Sequence, residues 1–220
     1  MASLFLRYSE RCFAQNTDPS RFLFRISGQI VLTDEKDAES EAGTFAATLI
    51  DVRGAVIEGE SVFDVFDSDS VYIGYFEALY DYDEDDFKPY VTQIVCEDDC
   101  LPYPNLLVID KLVIYPQYRG KGLGLLALKA LIHRHRSGVG LIAMNPVPLQ
   151  FESKFVDEKN SDLFSRFGLD AYSLPKNKAT AKLRKYYGRL GFKQVPQTEF
   201  MVRSSELPLQ DPDLQSSDSC

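Results

Sequence analysis

Residues Leu112–Leu131 read LVIYPQYRGKGLGLLALKAL, and this stretch decides the fold. It closes an apolar strand predicted over Leu106–Tyr115, LLVIDKLVIY, which ends at Pro116 because proline cannot donate to a ladder. Glycines at 120, 122 and 124 then turn the chain sharply. From Gly122 to Arg136, leucines at 123, 125, 126, 128 and 131 and basic residues at the C-terminal end predict a helix. Gly138 and Gly140 stop it, and Val139–Met144 predicts the next strand. Strand, helix and strand in this order imply a right-handed parallel crossover.

The turn inside this unit has a chemistry of its own. A helix N-terminus exposes unpaired N–H groups and a partial positive charge, so it suits an anion. Gly120, Gly122 and Gly124 carry no side chains to block a phosphate from the backbone, and Arg119 and Lys121 add positive charge. A pyrophosphate is a sensible guest. Two other glycine loops are excluded by spacing. The dinucleotide fingerprint G-x-G-x-x-G fails because Leu125 stands where its last glycine belongs, and no G-x-x-x-x-G-K-[ST] run occurs. A plain tight turn beside surface lysines is the bland reading of the same residues.

Working outward, Phe22–Leu32 (FLFRISGQIVL) and Thr44–Val56 (TFAATLIDVRGAV) read as strands, separated by an acidic loop over Thr33–Gly43. Ser61–Tyr80 has near-helical apolar spacing and predicts a helix or two short ones. Asp81–Asp86 is an acidic loop, and Tyr90–Cys96 reads as a short strand. Residues 145–178 hold prolines and read as an insertion or lid. Ala179–Leu190 predicts a helix stopped by Gly191, and Phe200–Arg203 a last strand. Residues 1–20 are set aside as an N-terminal extension, 21–203 form one domain, and 204–220 read as a disordered tail.

Composition narrows the function. The chain of 220 residues has no apolar run near the roughly 18 residues that span a bilayer, so a soluble cytoplasmic protein is expected, without membrane contact. Four cysteines at 12, 96, 100 and 220 are too sparse for a disulfide scaffold, and Cys96 and Cys100 lack companions at metal-ligand spacing. Free thiols and no metal are expected. His133 and His135, two apart on a helix, do not face each other and read as solvated surface residues. The net charge of −9 conceals a split: residues 1–110 hold 23 acids against 7 Lys and Arg, whereas 111–203 hold 6 against 17. Nucleic-acid binding is not expected of such a chain.

At this point the sequence resembles the GNAT (acyl-CoA-dependent N-acetyltransferase) superfamily. The acyl-CoA motif Q/R-x-x-G-x-G/A is met by Gln117-Tyr118-Arg119-Gly120-Lys121-Gly122. A second signature, L-Y-x-x-x-G-F, appears as Tyr186-Tyr187-Gly188-Arg189-Leu190-Gly191-Phe192, with Tyr186 in the leucine place. The resemblance covers residues 20–203, firmly in 106–144 and 180–203. It implies an α/β fold with a mixed, mostly antiparallel central sheet flanked by helices. The sheet would be splayed between strands ending near Tyr115 and Met144, where acyl-CoA enters.

The resemblance also implies roles. Backbone N–H groups of Arg119, Gly120, Lys121, Gly122, Leu123 and Gly124, with Gln117, would hold the pyrophosphate of acetyl-CoA or a related acyl-CoA. Leu112, Val113 and Ile114 would bond the pantetheine arm through their backbones. Tyr187 would protonate the leaving thiolate, although a core-packing tyrosine is the competing reading. Thr180 stands where the family often has a cofactor-contacting asparagine. An ammonium acceptor must lose a proton before it attacks a carbonyl. Asp110 is the first candidate base, weighed against a role ordering its strand, and Glu97, Asp98 and Asp99 are second choices. The expected function is acyl transfer to a primary amine, with a cationic small molecule or peptide suggested by the acidic N-terminal half. A non-catalytic acyl-CoA sensor is the alternative, and oligomeric state is open between monomer and homodimer.

Overall fold

The computed structural model describes residues 3–12, 17–96, 101–151, 167–169 and 173–209. A single sheet of seven strands runs through them: β1 (Ser3–Arg11), β2 (Leu23–Thr33), β3 (Glu39–Ile50), β4 (Leu106–Ile114), β5 (Leu141–Met144), β6 (Lys193–Gln194) and β7 (Met201–Ser204). Their order is β1-β2-β3-β4-β5-β7-β6, and every pairing is antiparallel except β4 with β5. Among the described residues the α-helices are α1 (Val52–Ile57), α2 (Val62–Asp67), α3 (Ile73–Leu79), α4 (Pro89–Val95), α5 (Leu123–His135) and α6 (Lys176–Gly188). The chain is therefore α/β with a mixed, mostly antiparallel sheet.

Each face of the sheet carries its own core. One joins Leu23, Ile50, Leu106, Val108, Leu141 and Ala143 to the apolar sides of α1–α4, including Val65, Phe66, Phe76 and Leu79. The other packs Ile26, Ile30, Leu107, Ile109, Ile142 and Met144 against Leu125, Leu128, Leu131 and Ile132 of α5. Strand β4 thus alternates as a strand buried on both faces must. The alternation then breaks. Lys111 pairs with Ala46 and Ile109 with Ala47, so Asp110 is an extra residue, a bulge with no partner on β3. After it the row facing α5 resumes at Leu112 and Ile114 instead of 111 and 113.

Several elements differ from the sequence reading. Ser3–Arg11, set apart as an extension, pairs along its whole length with β2. Its alternation was hidden by polar residues at an edge strand, where little is buried. The acidic loop is shorter than expected: β3 begins at Glu39, and Asp34 closes the turn before it by accepting from the N–H groups of Lys36 and Ala38. The second strand ends at Ile50, because Asp51 caps α1 by accepting from the Gly54 N–H at 3.0 Å. Tyr90–Cys96, read as a strand, is helical as α4. Pro89 sits at its first turn, and Val91 is buried with Ile94 and Val95 packed against the same core, at i, i+3 and i+4. Helix α6 ends at Gly188, and Gly191 takes φ +82° in the turn that follows.

The C-terminal part also departs from expectation. Residues 204–209 lie on the fold: Ser204 closes β7, and Ser205 is buried with its hydroxyl donating to Val139 O at 2.5 Å. The rest of the expected tail, 210–220, lies outside the described residues, as do Cys100, Cys220, Glu97, Asp98, Asp99 and most of the 145–178 segment. Cys12 and Cys96 are free thiols. His135 is not a solvated surface residue. Half-buried, it meets the Tyr8 ring at 5.3 Å, and burial lowers its pKa. Among the described residues no helix is long and apolar enough to cross a membrane.

Candidate functional site

The site is organised by where β4 and β5 part. Their parallel pairing runs from Leu106↔Leu141 to Ile109↔Met144 and stops, while β4 continues to Ile114. Beyond Ile109 no strand among the described residues pairs with the β5 side of β4, the region where the sequence reading expects a splay. The glycine turn lies at the far end of that opening, and Asp110 at its start.

On the turn, Pro116–Tyr118 form one 3₁₀ turn, and Gly120 and Gly122 take φ +75° and +71°. Left-handed backbone of this kind favours glycine, because a Cβ would crowd the following carbonyl. The N–H groups of Gly120, Lys121, Gly122, Leu123 and Gly124 meet no acceptor among the described residues. An added Cβ on Gly120 would meet nothing within 4 Å, so the space at Gly120 is open. Lys121 is exposed, its ammonium 5.9 Å from the Tyr118 ring, and Gln117 is exposed beside it.

Arg119 departs from the expectation. Its Nε donates to Ile114 O at 2.8 Å, an Nη donates to Phe167 O, and its N–H is taken by Pro116 O. The guanidinium therefore fastens the turn to the end of β4 and to Phe167, instead of standing free for a phosphate. Phe167 belongs to a small cluster with Val113, Tyr115 and Leu169, and Lys111 holds its ammonium 4.7 Å from the Phe167 ring. Val113 is corrected too. Its carbonyl oxygen lies against Gly43 of β3, 2.1 Å from where a Cβ would stand. Residues alternate in the neighbour they address, so Leu112 and Ile114 are the ones whose backbones face the opening.

The two tyrosines of α6 are separated by the structure. The Tyr186 hydroxyl approaches the first turn of α5, 2.7 Å from an added Cβ on Gly124, with Ile114 Cγ1 3.6 Å from the same point. Tyr187 is half-buried, its ring edge-on to Tyr186 at 5.4 Å and to Phe192 at 6.4 Å. Sequence reading favours Tyr187 over its neighbour Tyr186 by register for contact with the acyl donor. It is the hydroxyl of Tyr186, in the motif's leucine place, that reaches the first turn of α5.

Asp110 sits on the α1–α4 side. Thr48 Oγ1 donates to its Oδ2 at 2.8 Å, and the Tyr72 hydroxyl to its Oδ1 at 3.3 Å. Thr48 Oγ1 and Tyr72 OH are themselves 2.7 Å apart. Solvent reaches Asp110, yet protein surrounds the carboxylate closely enough that burial pushes it up to about 6, against the lowering pull of both hydroxyls. Arg25 and Asp69 stand nearby, paired at 2.8 Å, so their opposite effects on Asp110 offset. Burial first, and Asp110 second, push the Tyr72 and Tyr75 hydroxyls well above the usual phenol range, so both stay protonated. Tyr75 shares a hydrogen bond with the Asn145 backbone beyond β5 and stacks 4.2 Å from Phe200.

Sequence reading found Asp110 but none of Thr48, Tyr72 or Tyr75, which come from strands and helices distant in the chain. Two surface hollows lie elsewhere, one of about 200 Å³ beside Val56 and Asp85 and one of about 730 Å³ beside Glu10 and Arg25. Among the described residues no three His, Cys, Asp or Glu side chains gather to hold a metal. A carboxylate with a pKa near neutrality, aromatic walls and an open strand edge can accept a proton from a bound cation. Comparison with protein-family models, curated proteins and solved structures finds no match to this chain.

Proposed function

We propose that this chain is a GNAT-type N-acyltransferase, moving the acyl group of acetyl-CoA or a related acyl-CoA to a primary amine within a ternary complex. The observation that carries the reading is a coincidence at one strand. β4 leaves β5 after Ile109, with the unbonded N–H run of Gly120–Gly124 at one end of the opening and Asp110 at the other. The fit to a pyrophosphate rests on those N–H groups and on the open space at Gly120.

Acyl-CoA would supply an activated carbonyl and a thiolate leaving group. The chain supplies the rest. The Gly120–Gly124 backbone and Lys121 hold phosphates, and Leu112 with the Ile114 N–H offers backbone groups along the opening. Asp110 takes the proton of an ammonium acceptor, and the freed amine forms its C–N bond as the C–S bond breaks. Tyr187 gives its proton to the departing sulfur, since an ordinary phenol is protonated at neutral pH, and the second proton shed by the nitrogen as the amide forms passes through solvent to restore the phenol. The acidic N-terminal half and the aromatic rings around Asp110 favour a cationic acceptor such as a polyamine, an aminoglycoside-like amine or a Lys-bearing peptide.

The test is thermal unfolding with and without millimolar acetyl-CoA, followed by thiol release with a panel of amines. Stabilisation by acetyl-CoA and amine-dependent thiol release are expected, with turnover strongly reduced in Asp110→Asn and Tyr187→Phe. No stabilisation at millimolar acetyl-CoA would sink the reading. Stabilisation without turnover of any amine would favour the acyl-CoA sensor.

A further inference from the structure

We propose, building on the acyltransferase reading, that Thr48 and Tyr72 are positioning residues whose hydroxyls close a three-membered hydrogen-bond ring on Asp110 and hold its carboxyl group in both protonation states. The ring consists of Thr48 Oγ1 to Asp110 Oδ2 at 2.8 Å, Tyr72 OH to Oδ1 at 3.3 Å, and Thr48 Oγ1 to Tyr72 OH at 2.7 Å. Each hydroxyl owns a single proton. With Asp110 ionised, the ring has two protons for three contacts. The Thr48 proton goes to Oδ2, and the Tyr72 proton is divided between Thr48 and Oδ1.

When Asp110 takes a proton from an acceptor, the count becomes three. Oδ1–H then donates to the Tyr72 oxygen, Tyr72 donates to Thr48, and Thr48 still donates to Oδ2. Every contact is satisfied, and the neutral acid keeps the same seat. A carboxylate held by one side chain alone would swing away on protonation. Here it stays placed to return the proton to solvent, and the carboxyl oxygens keep hydrogen-bond partners in both states.

The surroundings assign this task to the hydroxyls. Arg25 of β2 and Asp69, before α3, are bonded to each other at 2.8 Å. Tyr75 of α3 stays neutral and is committed to the Asn145 backbone, with Glu199 acting on Tyr75 from the strand side. Lys111, next in the chain, lies over Phe167. Thr48 and Tyr72 are both buried, at 2% and 4% exposure, so their hydroxyls are fixed by packing.

The experiment measures the ionisation of Asp110 twice, from the acidic limb of the pH–rate profile and from the titration of its carboxyl carbon by NMR. A donor hydrogen bond to a charged carboxylate outweighs one to the neutral acid, so Thr48→Val is expected to raise both midpoints by about one unit, a tenfold rate loss below the limb. Thr48→Ser, which keeps the hydroxyl, is expected to restore the parent midpoints. Tyr72→Phe removes a donor from the ionised form and an acceptor from the neutral one, so its shift is expected to be smaller than that of Thr48→Val, while turnover falls at every pH. Midpoints unmoved by Thr48→Val, or moved equally by Thr48→Ser, overturn the proposal. If the NMR midpoints move as expected while no amine is acylated, the ring stands and the acyltransferase reading falls.

Discussion

Gly120 and Gly138 form a matched pair for testing the donor site. Both take left-handed φ, +75° and +76°, and an added Cβ on either meets nothing within 4 Å. They sit near opposite ends of α5, whose 13 residues put about 20 Å between its termini. Replacing either by alanine forces an L-residue into that conformation, at about 1–2 kcal/mol. The lower freedom of the unfolded chain offsets roughly 0.4–1 kcal/mol of this. Each variant should therefore lose about 1 kcal/mol, or roughly 2–4 °C in Tm for a domain of this size. Ligand response should divide them. Acetyl-CoA at a hundred times its Kd adds about 2.7 kcal/mol to the parent's stability. Gly138→Ala should keep that increment. Gly120→Ala puts a methyl group over the unbonded N–H groups and should lose about 1.4 kcal/mol of it for each tenfold loss of affinity. Thermal unfolding of the three proteins with and without acetyl-CoA decides the matter. An undiminished increment in Gly120→Ala would refute the phosphate cradle, and an unchanged Tm in both variants would refute the backbone argument.

Two further perturbations read other parts of the structure. Asp110→Asn should stabilise the protein at pH 7 while abolishing turnover. The folded-state pKa of about 6 lies above the ordinary 3.8, so the fold binds this proton more tightly than the unfolded chain does. The stability contributed by this group rises as pH falls from above 6 towards 4, and the variant should lack that rise in urea titrations across this range. A parent whose stability shows no Asp110-dependent rise there would contradict the assignment. Arg203→Met should leave stability unchanged or raise it. Arg203 is fully buried on β7, its Nε and Nη1 meet no partner among the described residues, and burial beside Arg136 lowers it to about 10. Its one bond, to Leu207 O at 2.7 Å, is a modest loss, and a destabilisation beyond about 2 kcal/mol would show compensation that the geometry lacks.

The elements legible in the sequence were those with a strong period or a strong stop. The β4–turn–α5–β5 unit was read within a residue or two because Pro116 and the glycines punctuate it and α5 presents leucines to a deep core. Strand β1 was missed because an edge strand buries too little to impose a period, and β6, only two residues long, has none to show. Helix α4 was misread because Val91, Ile94 and Val95 suit either state over seven residues, and Pro89 was the deciding signal. The motif points to the glycine turn but not to the bonds that tie Arg119 to Ile114 and Phe167. Of the group around Asp110, sequence singles out that residue and none of its partners. Thr48 and Tyr72 reach it across 62 and 38 positions of chain, a separation that no local pattern encodes.

The bulge at Asp110 means that β4 is written in two reading frames. Before it, even-numbered side chains face α1–α4 and odd-numbered ones face α5; after it, Leu112 and Ile114 have crossed to the α5 side. One strand thereby carries Asp110 towards Thr48 and Tyr72 on one face and sets Leu112 and Ile114 against the α5 core on the other. Its length between Ile109 and Leu112 is a tuned quantity. Deleting one residue there would leave the strand's hydrophobicity almost unchanged, yet it would restore a single frame and force a choice between Asp110 beside Thr48 and Tyr72 and the leucine in its core. In this segment a one-residue deletion is a more severe change than most substitutions, and homologous recombination across it would have to keep phase as well as sequence.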